Sequence, residues 1–491
     1  GVATRVLAHK QLGVYMGDSR PESVAAVTGE LAAKFENRAA IIKRLTTLAD
    51  PQVKFQLLRL VVTTRPGFWL RTMPPDTTAQ AAATFDRYVR EELHRFTKAV
   101  EHDDSWLFAT LPSSLSGTGL TSAVETRHSA HYASWASSWP NIVKMFPTAI
   151  TVTTAELATS QLPFAIGIRS AHAHVKAATD TITTNQHKHE LPRGVPRDPT
   201  IPAPSDFGTH LPCNATQRHF AAVVNAARWL QGFHRCSQPY RARIRSQAEQ
   251  GAMAIFAAQP SQHFTMHPVD FINAVQLACR APTSHLAGCG DRCICGAHLD
   301  AYGDHIMSCN LFLFLRTTGH DLVQEEVAKM SRYAGHALSW DSKKAKARSV
   351  GYSPHHIPDL TLLHGAPDKS HVLIDIVCPS VVHVAAAAAF PLIAADAAEG
   401  SKHEMFGDVR PHKVLPFAVE DGGALGREAK TFFHTCKAAC ANQLRGADYE
   451  RQTGTARGYS NFFFQSISAA NYRGLSHTLM IAGDTIRASH L

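Results

Sequence analysis

The chain has 491 residues, too many for one compact core, and so predicts two to four domains. Its 45% hydrophobic and 18% charged residues are ordinary globular proportions, and its longest apolar stretch, Val381 to Ala398, is broken by His383, Pro391 and Asp396, which excludes a membrane-spanning helix there. A formal net charge of +9 favours an anionic partner, of which nucleic acid is the commonest.

The chain opens on Gly1, as a processed form, a fragment or part of something longer would. Val6-Leu7 and Leu12 to Met16 predict a strand pair. From Pro21 to Ala49, apolar residues recur at three- and four-residue steps (Val24, Val27, Leu31, Phe35, Ile41, Leu45), the period of a helix. Pro51 opens a second helix that carries Phe55, Leu58 and Leu60, and Pro66-Gly67 breaks it. A third helix is expected over 78–100. Helices continue through 106–160, with Trp135 and Trp139 as core anchors.

The stretch from Thr181 to Cys213 is rich in Pro, His, Thr and Asn and predicts a linker or long surface loop. His187 and His189 read as loop residues, as do His172 and His174. Helical patterning returns over 217–280. Arg241, Arg243 and Arg245 form a basic run there, suited to gripping phosphate or to a plain solvated face. Further on, a helix is expected over 320–335 and strands at 361–363, 372–377 and 414–419. Helices are expected at 384–404 and 424–445. Helices interleaved with short apolar strands predict an α/β or α+β domain.

Four of the ten cysteines fall within the 21 residues 289–309. A disulfide framework is a poor explanation in a chain this large, and a metal site in a reducing compartment is a better one. Zinc wants four soft or borderline ligands at tetrahedral corners, and closing a short loop on it orders a segment with no core of its own. Cys293, Cys295, His305 and Cys309 can supply these ligands, with His305 and Cys309 one helical turn apart. Cys289 is an alternative to either of the first two.

The order Cys-x-Cys-Gly, Asp-x-x-Gly-Asp-His-x-x-x-Cys, His-Asp, Pro-Asp and Ile-Asp resembles the C-terminal region of site-specific, LINE-like non-LTR retroelements. Upstream, Asp50-Pro51-Gln52, Leu70 to Pro75 and Phe85-Asp86 are similar to the thumb and connector that follow a reverse transcriptase palm. Downstream, Leu415 to Glu420 and Gly423 to Gly426 fit the same family. The resemblance implies an α+β multidomain chain. It has a thumb- and connector-like helical region at 1–160 and a linker with further helices at 161–285. A zinc knuckle at 286–310 and a restriction-endonuclease-like domain with a C-terminal tail at 311–491 complete it.

Nucleases of that kind hold Mg2+ or Mn2+ on two carboxylates and use a lysine against the developing charge. The resemblance assigns the carboxylates to Asp359 and Asp375. It takes the lysine from the following helix, at Lys402, with Lys413 as second choice. Lys343, Lys344, Lys346 and Arg348 would contact phosphate. The sequence departs from the family at two places. Gly319-His320-Asp321 lacks the family's arginine, and Trp340-Asp341 stands where a glutamate is expected. The palm is missing too. His102-Asp103-Asp104 is the one paired-aspartate candidate and reads as a helix-end or loop feature, so no polymerase activity is expected.

These departures favour a retroelement-derived nucleic-acid-binding protein. It would be an RNA-binding structural subunit of a large ribonucleoprotein, such as a mitochondrial ribosome, with a degenerate nuclease fold. The alternative is an active metal-dependent DNA endonuclease of a non-LTR retrotransposon. Expected partners are RNA or DNA and other proteins of an assembly, with no membrane. The expected compartment is intracellular and reducing, a mitochondrion or a nucleus.

Overall fold

The computed structural model describes residues 9–11, 14–16, 21–145, 152–207, 216–261, 263–339, 357–363, 365–366, 370–407, 410, 412–443, 456 and 458–489. It is mostly helical, with a four-stranded mixed sheet and one short hairpin. The first helices in chain order are α1 (Pro21–Leu45), α2 (Pro51–Leu57), α3 (Gly67–Thr72), α4 (Pro75–Thr97) and α5 (Asp103–Thr110). There follow α6 (Ala123–Met145), α7 (Pro163–Thr184), α8 (Gln217–Arg235), α9 (Gln238–Gln247) and α10 (Pro268–Cys279). The last are α11 (Asp304–Ser308), α12 (Arg316–Tyr333), α13 (Ile393–Phe406), α14 (Arg427–Gln443) and α15 (Tyr459–Ser489). Prolines open several of them, because proline's fixed φ suits the first turn and its missing N–H has no partner there anyway. Among the described residues no helix is long and apolar enough to cross a membrane.

The chain divides into two compact units. The first comprises the described residues of 1–50, 54–96 and 120–234. In it β1 (His9–Gln11) and β2 (Val14–Met16) pair antiparallel. Phe35 of α1 meets Trp69 of α3 and Phe85 of α4, at ring-centroid distances of 5.7 and 5.9 Å. A further core gathers Tyr132, Trp139, Ile168, Val175, Phe207 and Phe220. Trp139 is thus a core anchor, and Trp135 packs half-buried at its edge. The carboxylate of Asp86 accepts the N–H groups of Ala123 and Val124 at 2.8 and 3.1 Å. A residue distant in sequence therefore caps the start of α6.

The linker expected from Thr181 onward begins later than its composition implied. Helix α7 runs to Thr184 because its threonines bond back to carbonyls one turn earlier, Thr181 to Ala177 and Thr183 to Thr179, instead of competing with the helix. Leu191 and Phe207, inside the presumed surface loop, are buried.

The second unit holds the described residues of 51–53, 97–119 and 235–491. Its sheet has the order β3 (Leu338–Ser339), β4 (Leu360–Leu362), β5 (Val372–Val377), β6 (Lys413–Ala418). The first two pairings are antiparallel, and β5–β6 is parallel. A parallel pair needs a crossover, which α13 supplies. The run Val372–Ile376 is buried throughout, as a central strand covered on both faces should be. The helix expected over 384–404 starts only at Ile393. Pro391 lacks the N–H that a continuous helix needs there and disfavours helical backbone just before it, and the alanines ahead of it form a 3-10 turn, Ala385–Ala388.

The segment expected as a C-terminal tail is α15, a 31-residue helix packed along α12 and α10. Its face of small residues admits close neighbours. A Cβ on Gly474 would lie 2.4 Å from the Cα of Gly319 on α12, and one on Gly483 would lie 2.3 Å from the carbonyl oxygen of His285. Residues 286–310 and the sheet therefore belong to one unit, organised on α15.

Candidate metal centre and carboxylate cluster

The short loop ahead of α11 brings Cys293, Cys295, His305 and Cys309 together, with one ligand atom from each lying within 4.8 Å of the others. The Cys293 and Cys309 sulfurs are 3.9 Å apart, and Cys295 Sγ stands 3.2 Å from His305 Nε2. Zinc–sulfur bonds of about 2.3 Å give a tetrahedral sulfur–sulfur edge of about 3.8 Å, the spacing at which the Cys293 and Cys309 sulfurs stand. The donor set, three thiols and one imidazole, can hold a metal ion of the borderline kind.

Local chemistry builds this arrangement. Gly296 and Gly303 adopt φ of +84° and +81°, the left-handed region the two turns require. Gly303 is also pressed on α15, where a Cβ would come 2.5 Å from Leu479. Asp300 accepts the N–H groups of Tyr302, Asp304 and His305 at 2.9, 3.0 and 2.7 Å, fixing the turn that presents His305. Asp300 was legible only as part of the Asp-x-x-Gly-Asp-His motif. Cys289 is not in the cluster. Its sulfur lies 3.5 Å from the Gly483 carbonyl oxygen on α15, which removes it as an alternative ligand.

The basic run on α9 is corrected by its surroundings. Arg243 is 4% exposed and pairs with Asp304 at 2.9 Å. Arg245 is buried and donates to the Ala388 carbonyl at 2.7 Å. Both are turned inward, because α9 packs against the segment 381–388. Only Arg241 stays half-buried. Lys343, Lys344, Lys346 and Arg348 lie outside the described residues. Arg243 ties α9 to Asp304, the first residue of α11, next to His305 of the cluster. Arg243→Met strands a buried carboxylate, so we expect a loss of about 3–5 kcal/mol in chemical denaturation, with the Arg243→Met/Asp304→Leu pair recovering most of it. Equal losses in the single and double variants would show that the pair is not what matters.

A second cluster forms on the sheet. Leu360 of β4 stands opposite Ile374 of β5, so the register carried one step on puts Asp359 level with Asp375. Asp359 Oδ2 accepts the Ile376 N–H at 2.8 Å and meets His320 Nε2 of α12 at 2.9 Å. Gln324 of α12 donates to the Asp359 carbonyl at 2.8 Å. From the crossover helix α13, Lys402 Nζ reaches Asp375 Oδ2 at 2.6 Å. Asp359, Asp375 and Lys402 are thus brought into one place. Lys413 stands at the exposed start of β6, three residues before Pro416, the partner of Asp375 in register.

His320 enters this cluster although the sequence offered it only as a motif remnant. Burial disfavours its charged form, but the hydrogen bonds and charges of Asp359 and Asp321 outweigh burial and raise its pKa to about 9. Burial, and then the charge of Asp359, raise the Asp375 carboxyl, while Lys402 and His320 oppose them. Gly319, standing where the resembled family carries arginine, has a packing reason: α12 crosses α15 there, glycine on glycine. The glutamate position at Trp340-Asp341 lies outside the described residues. Asp103 and Asp104 occupy the first turn of α5, and Asp104 pairs with Arg235 at 2.9 Å, a helix-end placement.

Close to this cluster in sequence, Glu420 is 1% exposed just past β6. Burial pushes its carboxyl up to about 7, from an ordinary 4.5. The unfolded chain therefore releases this proton first. The stability contributed by this group falls as pH rises from 4.5 to about 7 and changes no further above. Glu420→Gln should flatten that part of the urea-midpoint profile, and a profile identical to the parent's would contradict the assignment.

No family model matches the chain, and none of the curated proteins compared with it matches.

Proposed function

We propose that the second unit is a metal-dependent nuclease of the restriction-endonuclease-like kind, stabilised by a structural zinc knuckle. Its architecture fits the retroelement-like region that the sequence resembles. The observation that carries the reading is the convergence of Asp359, Asp375 and Lys402 from two neighbouring strands and the crossover helix. The succession of α12, three strands, α13 and β6 supports the same assignment.

The two carboxylates offer hard oxygen ligands to Mg2+ or Mn2+, which when bound supplies charge stabilisation and an activated water. Lys402 sets an ammonium beside Asp375, where it meets the negative charge that grows on a scissile phosphate. His320, held as imidazolium between Asp321 and Asp359, orients the Asp359 carboxylate and adds positive charge. The Ile376 N–H fixes the same carboxylate from the strand side. Cys293, Cys295, His305 and Cys309 would hold zinc with four protein ligands, a structural rather than a catalytic role.

The test is nicking of supercoiled plasmid with Mg2+ or Mn2+ by the full chain and by its Asp359→Ala and Asp375→Ala variants. Nicking lost in both variants supports the nuclease. Salt-sensitive binding of RNA or DNA without any nicking would replace it with a binding subunit of a ribonucleoprotein.

A further inference from the structure

In the first unit, far in sequence from the cysteine knuckle, His187, Glu190 and His234 each bring one ligand atom to within 4.8 Å of the other two. We propose that these three residues form a second metal site, specific for a borderline divalent cation such as Zn2+, Co2+ or Ni2+. The site fastens the long connection after α7 onto the end of α8.

Two features of the geometry argue for it. His187 Nδ1 and Glu190 Oε1 stand 3.0 Å apart. Two ligands at right angles around an ion with bonds of about 2.1 Å are separated by about 3.0 Å, so this edge needs no rearrangement. The His187 and His234 rings lie 4.5 Å apart between centroids, near enough to converge on one ion through a small side-chain adjustment. All three side chains are half-buried, so ligands are partly shielded from water yet open to an entering ion. Two imidazoles and one carboxylate suit a transition ion, whereas Mg2+ and Ca2+ prefer all-oxygen shells. Three protein ligands leave at least one position for water.

The local backbone is set up for this. Asn185 Oδ1 accepts the His187 N–H at 2.8 Å, and a 3-10 turn at Lys188–Glu190 puts His187 and Glu190 on one side. Lys188 pairs with Asp198 at 2.5 Å, folding the connection back on itself. His234 comes from the last turn of α8, which is buried through Trp229, Leu230 and Phe233. One ion would thus join a rigid helix end to a stretch of little apolar content. That is where a metal crosslink adds most order. The site shares no residue with the knuckle or the carboxylate cluster, so it stands or falls without them.

The experiment titrates Co2+ into the full chain as purified, with its knuckle metal in place, and follows visible absorption and calorimetry. We expect one equivalent bound with nitrogen- and oxygen-type d–d bands and no thiolate-to-cobalt charge transfer. His187→Ala and His234→Ala should each weaken that equivalent by more than the roughly 10–100-fold typical of a lost outer-shell partner. Glu190→Gln, nearly isosteric, should weaken it with the helical circular dichroism unchanged. Bound Co2+ should also slow tryptic cleavage at the exposed Arg193 and Arg197. The proposal is overturned if no such equivalent binds, or if all three variants bind Co2+ as the parent does. The latter result would assign the binding to scattered surface histidines.

Discussion

On the proposed zinc knuckle, Cys309→Ser is expected to abolish metal binding there and lower the melting temperature of the second unit by about 10 °C. The loop between Cys289 and His305 contributes few apolar side chains, Leu299 being its main buried one, so a bound ion would add to the order that the Asp300 hydrogen bonds give it. Structural zinc binds with an apparent 10–16 kcal/mol in small fingers, and here only the part coupled to folding is lost, roughly 3–5 kcal/mol. At about 2–4 °C per kcal/mol for a domain of this class, the shift is near 10 °C. The damage should spread, because Gly303 and Cys289 lie against α15, the spine of the unit. Calorimetry with elemental analysis checks it. A variant that keeps both its metal and its melting temperature would return these residues to ordinary buried thiols.

The second large effect concerns Asp375. Asp375→Asn is expected to cut nicking about a thousandfold, since a lost metal carboxylate forfeits about 4 kcal/mol of transition-state stabilisation. Stability should hold or rise. Burial and Asp359 already oppose the Asp375 charge, and the amide relieves both. Lys402, with 24% of its side chain exposed, can turn to water once its partner is gone. Lys402→Ala should lower nicking too, by about a hundredfold, as lost electrostatic stabilisers typically do. If Asp375 and Lys402 form only a structural ion pair, the outcome reverses: both variants lose stability, and neither has any nicking to lose. Measuring denaturation beside activity separates the two.

Much of this was legible along the chain, and the reasons are local. Helices announced themselves by period and by proline, as at Pro21 and Pro51. The knuckle could be read because all four ligands lie within 17 residues, Cys293 to Cys309, and Asp300 and the glycines that shape it lie between them. Strands β4, β5 and β6 showed as short apolar runs, whereas β3, two residues long, carries too few side chains to show any period.

Charge was where linear reading failed. Arg243 and Arg245 look like Arg241 in sequence, and only the packing of α9 against 381–388 turns them inward. His187 does lie in a turn, as its sequence suggested, but its nearness to His234, 47 residues on at the end of another helix, could not be read along the chain. That Gly319 packs against Gly474 of α15 was likewise invisible along the chain.

By itself the sequence determined many of the helices, three of the sheet's strands and the loop that gathers a set of possible metal ligands, since each is governed by interactions between residues close in the chain. Tertiary structure alone decided which charges are buried, that the terminal segment is a spine, and that Asp359, Asp375, Lys402 and His320 share one place. Those outcomes depend on contacts between distant segments, whose partners no local pattern specifies.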